Sequence, residues 1–145
     1  MKEITTRIDI NAPAEKVWDI LMRFGEYPSW NPFVRSISGN PEKGGRLEVS
    51  IEPSGGKPMK FKPTVVENVP NRHFAWLGNL FISGLFDGRH EFVITERNGG
   101  VEFTHSERFS GILVPLIWRM MESGTRRGFE EFNAALKKRA EGQLN

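Results

Sequence analysis

The chain has 145 residues, 26% of them charged and 38% hydrophobic, with a formal net charge of +2 and no cysteine. A chain of that length makes one domain that buries about 70% of its extended surface, which leaves room for a core and a modest cavity. The composition excludes a disulfide framework, a thiolate nucleophile and a cysteine zinc site; the basic runs Arg126-Arg127 and Lys137-Lys138-Arg139, interleaved with Glu130, Glu131 and Glu141, read as a solvated helix face and not as a nucleic-acid surface.

In chain order, residues 3–10 alternate Ile4, Thr6, Ile8 and Ile10 against polar positions and predict a strand. Asn11-Ala12-Pro13 opens a helix that buries Val17, Trp18 and Leu21. Gly25 and Tyr27-Pro28 break it, and a short helical turn through Ser29-Trp30 precedes Pro32. Strands follow at residues 33–38, 46–52, 59–67 and 72–78, separated by Gly, Pro and Asn turns. Pro63 cannot donate to a ladder, so the strand over 59–67 is expected at an edge or bulged there. Residues 79–84 read as a loop carrying apolar Leu80, Phe81 and Ile82, expected to be either a pocket lid or, with Ile112, Leu113 and Val114, an interaction patch.

Two further strands flank Arg97-Asn98-Gly99-Gly100, and Asn-Gly is a strong hairpin signal because a type I′ turn needs positive φ at both central residues. If Asn98 and Gly99 occupy those positions, Arg97 faces Gly100, His90 faces Glu107, Phe92 faces His105 and Ile94 faces Phe103. One face then carries Phe86, His90, Phe92, Ile94, Val101, Phe103, His105, Glu107 and Phe109. Polar groups on so apolar a face must be hydrogen-bonded internally or border a wet cavity. His73 falls opposite Phe74 and Trp76 and reads as a surface residue. The tail, from Leu113 or Val114 to Glu141, forms one long helix with a stripe through Val114, Trp118, Met121 or Glu122, Thr125, Phe129, Phe132 and Leu136.

The order is strand, two helices, six strands, long helix. An antiparallel sheet of short-turn strands needs one face covered, and only the final helix is long enough to cover it. A strongly twisted sheet curling around one helix leaves a gap.

Several stretches resemble the SRPBCC, or START-like, helix-grip proteins, and within them the polyketide cyclase/dehydrase-type group. They are Ile8-Asp9-Ile10-Asn11-Ala12-Pro13-Ala14-Glu15-Lys16-Val17-Trp18, Tyr27-Pro28-Ser29-Trp30-Asn31-Pro32-Phe33, Gly84-Leu85-Phe86-Asp87-Gly88-Arg89-His90 and Glu107-Arg108-Phe109-Ser110-Gly111, followed by the amphipathic tail. The resemblance covers essentially the whole chain. It implies an α+β fold in which a seven-stranded antiparallel sheet grips the C-terminal helix around an apolar cavity. It carries over no catalytic residue, because the group's members include cyclases, lipid carriers and hormone receptors without a shared set.

The expected cavity lining combines Trp30, Asn31, Trp76, His90, Phe92, His105, Glu107, Trp118 and Met121, a mostly apolar set with a few polar groups, as small-molecule sites have. The plain alternative for the aromatics is core packing, and for His90–Glu107 a mutually satisfied pair that fixes strand register. A catalytic alternative gives His90, His105 and Glu107 proton transfer in a cofactor-free cyclisation or dehydration. His105-Ser106-Glu107 beside His90 has the ligand types of a two-histidine, one-carboxylate metal site, but spacing alone does not argue one, and no metal or cofactor is expected. Phosphate-loop, dinucleotide and serine-hydrolase motifs are absent. The leading expectation is a single ligand-binding domain over 1–145 that takes up a small hydrophobic molecule, whether lipid, quinone, polyketide or aromatic metabolite. With no run near the roughly eighteen apolar residues of a membrane span and no signal-peptide pattern at Met1–Thr5, a cytoplasmic monomer or weak homodimer is expected, with at most transient membrane contact.

Overall fold

The computed structural model describes residues 1–80 and 82–142. The apolar alternation at Ile4, Thr6, Ile8 and Ile10 builds strand β1 (Lys2–Ile10), followed by α1 (Ala14–Met22), a 3-10 turn (Phe24–Glu26) and the one-turn α2 (Tyr27–Trp30). Strands β2 (Val34–Gly39), β3 (Leu47–Ile51), β4 (Met59–Phe61), β5 (Thr64–Val69), β6 (His73–Leu80), β7 (Phe86–Arg97) and β8 (Gly100–Ser110) follow, then the long helix α3 (Val114–Ala140). The strands form two antiparallel sheets, one ordered β1-β8-β7-β6-β5 and one ordered β2-β3-β4.

The helix-grip α+β class stands, but the described residues hold eight strands and not seven. The stretch 59–67, expected as one strand, is two, split at Lys62-Pro63. Proline has no N–H for the ladder, while its carbonyl accepts from the Leu47 N–H at 2.9 Å. The chain therefore crosses there from the smaller sheet to the larger, and an Arg46–Thr64 bridge links the two. Strand β6 also runs on to Leu80, shortening the loop expected over 79–84. The central hairpin has the expected register, with Arg97 on Gly100, His90 on Glu107 and Phe92 on His105. Its turn residues Asn98 and Gly99 have φ of 49° and 83°, as a type I′ turn requires.

Helix α3 lies across the inner face of the large sheet through Thr125, Phe129, Phe132, Asn133, Leu136 and Ala140, all buried. The Phe132 ring stacks on Phe92 at 5.2 Å and on Phe103 at 6.2 Å. A glycine inside a helix costs about 1 kcal/mol relative to alanine, yet Gly128 is demanded by space, because a Cβ there would coincide with the Phe33 ring. The C-terminal end is pinned: Lys137 donates to the Asp9 carbonyl at 2.7 Å and to Glu141 at 2.7 Å, and Glu141 accepts from the Asn11 N–H at 2.8 Å. The N-terminal half is held differently, with Leu116 and Met120 exposed. No helix of the described residues is long and apolar enough to cross a membrane.

Candidate functional site

Register alone assembles the polar core of the site. β1 places Thr6 opposite His105, β7 places His90 opposite Glu107, and α3 lays Asn133 over β8. The result is one continuous hydrogen-bonded chain through an otherwise apolar interior. Glu107 Oε1 meets His90 Nδ1 at 3.2 Å, and His90 Nε2 meets His105 Nε2 at 2.7 Å. His105 Nδ1 meets Asn133 Oδ1 at 3.0 Å, Asn133 Nδ2 donates to Thr6 Oγ1 at 2.9 Å, and Thr6 donates to the backbone carbonyl of His105 at 3.0 Å.

The direction of each bond follows from its far end. Thr6 spends its single proton on a carbonyl, so its oxygen accepts from the Asn133 amide. Asn133 Oδ1 then accepts, which puts a proton on His105 Nδ1. Burial pushes the His105 imidazolium well below its ordinary range, the nearby His90 lowers it further, and the Asn133 bond offsets this only in part. His105 is therefore neutral with a bare Nε2, and His90 Nε2–H donates to it. His90 Nδ1 and Glu107 Oε1 accordingly share one further proton, as imidazolium with carboxylate or as imidazole with carboxylic acid.

Aromatic rings enclose the two imidazoles. His90 stacks on Trp76 at 4.7 Å and lies 5.1 Å from Phe129, while His105 stacks on Phe129 at 4.0 Å with the rings 9° from parallel. His90 is 1% exposed and His105 0%, so neither reaches solvent. The two Nε2 atoms point at one another and bond each other, which leaves no space between them for a cation. Among the described residues no group of three metal-ligating side chains converges.

Beside this chain, between the two sheets and the N-terminal half of α3, lies a cavity of about 580 Å³. Its apolar walls include Phe33, Ile51, Phe61, Trp76, Phe86 and Phe109, and α3 contributes Ile117, Met120, Met121 and Thr125. The β3–β4 turn, with Ser54, Gly55, Gly56 and Lys57, forms one side. Glu107 is the member of the hydrogen-bonded chain that lines the cavity, and it is the one carboxylate there. The volume falls within the roughly 300–1,000 Å³ of small-molecule sites.

Of the residues expected to line a cavity, the structure places Trp76, Glu107 and Met121 in its wall. His90 and His105 stand behind that wall, against Glu107, Trp76 and Phe33, and Phe92 is packed with Phe74, Phe103 and Phe132. Trp30 sits against Tyr27 and Phe132. Asn31 is fully buried, and its side-chain oxygen accepts from the N–H groups of Phe33 and Val34. Trp118 lies over Phe109, with the Lys2 ammonium 5.9 Å from its ring. His73 is half-buried on the outer face and bonds Glu91 at 2.8 Å. Phe81 and the Leu80 side chain, part of the expected lid or patch, lie outside the described residues; Ile82 and Ile112 are exposed. Sequence reasoning missed Asn133 and Thr6, though both interrupt apolar stripes as the histidines do. It also missed Gly78 and Gly88, which line the cavity.

The sheets, the gripped helix and the cavity between them define a helix-grip protein. The chain belongs to the polyketide cyclase / dehydrase and lipid transport family, whose model matches residues 1–141. Similar solved structures include the Zhui aromatase/cyclase from Streptomyces sp. R1128, at 15% identity and TM-score 0.77 over 99% of this chain and 96% of that one. A START superfamily protein from Mycobacterium smegmatis is similar at 19% identity and TM-score 0.75 over 98% and 99% of the two chains. The Aha1 dimer from Colwellia psychrerythraea is similar at 17% identity and TM-score 0.71 over the full length of both. A search of curated proteins finds no match.

Proposed function

We propose that the protein binds a small hydrophobic molecule (a lipid, quinone, polyketide or aromatic metabolite) in the cavity between sheet and helix, acting as a single cofactor-free domain. The observation that carries this reading is the cavity itself, about 580 Å³ with walls of Phe, Ile, Trp and Met and one carboxylate. The family description, which joins polyketide cyclases to lipid transport, supports the same class of ligand. A cytoplasmic monomer or weak homodimer fits the reading, with membrane contact limited to ligand exchange. Native mass spectrometry of the purified protein, followed by solvent extraction, should reveal an apolar guest or its uptake from a lipid and aromatic panel. Met121→Trp, which fills the cavity from α3, should weaken uptake at least tenfold with little change in Tm. Undiminished uptake by that variant sinks the assignment to this cavity.

A second reading, a cofactor-free enzyme of cyclase or dehydratase type, is favoured by the hydrogen-bonded chain behind Glu107. Glu107 would take a proton from carbon beside a ligand carbonyl, leaving an enolate, with His90 holding the charge balance. The chain ends on the carbonyl of His105 and leads to no solvent, so the proton would return from Glu107 to the ligand, at carbon or at a departing hydroxyl released as water, after exchange with water at the 16% exposed Glu107 side chain. Exchange of the α-hydrogens of 2-tetralone for deuterium, followed by NMR, should be faster than in buffer with the native protein. It should fall to the buffer rate with Glu107→Gln; matching rates for the two proteins exclude this chemistry.

A further inference from the structure

We propose, building on the cavity-binding reading, that the cavity selects molecules presenting a hydrogen-bond donor, such as a phenolic or alcoholic hydroxyl, to Oε2 of Glu107. The same skeleton carrying an ether or no oxygen is disfavoured. The inference rests on where one proton must lie. His90 Nδ1 and Glu107 Oε1 are 3.2 Å apart and share a single proton. If the proton is on nitrogen, Glu107 is a carboxylate and both oxygens accept. If it is on Oε1, the carboxylic acid has used its only O–H, and Oε2 is a carbonyl oxygen. Either way Oε2 accepts and does not donate. Making it a donor needs a second proton on the pair, with no carboxylate left to balance the imidazolium.

The surroundings of Oε2 fit this role. It has no hydrogen-bond partner among the described residues, and it occupies the space over Gly88 where any other residue would carry Cβ. Gly88 faces Gly78 across the β6–β7 ladder, and both line the cavity. The glycines make room for what stands over them, the Glu107 carboxylate over Gly88 and the Phe61 ring and Pro63 over Gly78, so the acceptor sits beside an aromatic ring. A flat molecule in the cavity can turn its edge toward Oε2, displacing water from an acceptor with no partner among the described residues. An ether oxygen at that edge would leave Oε2 desolvated and face it with a second acceptor.

Isothermal calorimetry with 2-naphthol, 2-methoxynaphthalene and naphthalene tests this on the native protein. 2-Naphthol is expected to bind about tenfold or more tightly than either of the others, the usual effect of one hydrogen bond to a carboxylate. Glu107→Leu should bring the three within about twofold of one another. Glu107→Gln should keep a preference for the naphthol, because its amide N–H can donate to His90 Nδ1 and leave a carbonyl over Gly88. Gly88→Ala removes the room for Oε2 without touching the carboxylate chemically, and should also erase the preference. Equal binding of all three by the native protein, or a preference that survives both Glu107→Leu and Gly88→Ala, overturns the inference while leaving the cavity a binding site. Failure of all three to bind at millimolar concentration overturns the cavity reading and this inference together.

Discussion

Phe129→Ala is expected to destabilise the protein by about 3–5 kcal/mol, the usual cost of emptying a fully buried phenylalanine site. Phe129 is 0% exposed and touches rings on three sides: Phe33 at 5.4 Å, His90 at 5.1 Å and His105 at 4.0 Å. The hole cannot collapse easily, because Gly128 already sets helix against ring and the histidines are held by hydrogen bonds along their length. For a chain of 145 residues the loss corresponds to a fall in Tm on the order of 10 °C. Thermal or urea unfolding reads it directly. A loss below about 1 kcal/mol would mean that the aromatic layer is not what seals the imidazoles.

Stability should also fall as pH drops below about 6.5, with the steepest part of the loss near 1.4 kcal/mol per pH unit. His105 has its folded-state pKa held well below the ordinary 6.5, first by burial and second by His90. Between the two values the unfolded chain binds a proton that the folded chain refuses. The His105 contribution therefore rises with pH across that window, is complete above 6.5 and is lost progressively below it. Glu91, lowered chiefly by its bonds to His73 and Arg89 against an opposing burial effect, shifts from an ordinary 4.5. Its contribution is likewise present at neutral pH, but it is lost only at lower pH, outside the window. The urea midpoint of the native protein relative to His105→Gln, followed from pH 5.5 to 7.5, should rise with pH by a slope of about one proton. Parallel profiles for the two proteins would contradict a neutral buried His105.

Legibility in the sequence followed the strength of local signals. Asn98-Gly99 fixed the hairpin turn, and with it every cross-strand pair of β7 and β8, because a one-residue slip would turn His90 and Phe92 outward. The α3 stripe was readable from Phe129, Phe132 and Leu136 alone. Pro63 announced an irregularity but not its scale, since whether a chain bulges or changes sheets depends on Leu47 waiting for its carbonyl, a contact sixteen residues away. The site was half legible. Polar residues on an apolar face identified His90, His105 and Glu107, and the same criterion applied to Asn133 and Thr6 would have completed the chain. Which of them borders the cavity could not be read, because alternation gives the face of a strand and not the depth beneath a helix. Trp30, Trp118 and Phe92 are large and inward on any pattern, and only the path of α3 separates packing rings from wall rings.

The unequal hold on the two ends of α3 has a consequence for how such a chain can change. Past Gly128 the helix is committed: Phe132 in an aromatic stack, Asn133 in the polar chain, Lys137 and Glu141 tied to the end of β1 and the link that follows it. Before it, Ile117, Met120 and Met121 border empty volume, and Leu116 faces outward. Exchanges at Ile117, Met120 and Met121 alter the size and shape of the chamber while leaving the aromatic stack, the polar chain and the ties at the end of α3 in place. The shape of the chamber can therefore be reset from one and a half turns of helix, with the rest of the scaffold unchanged.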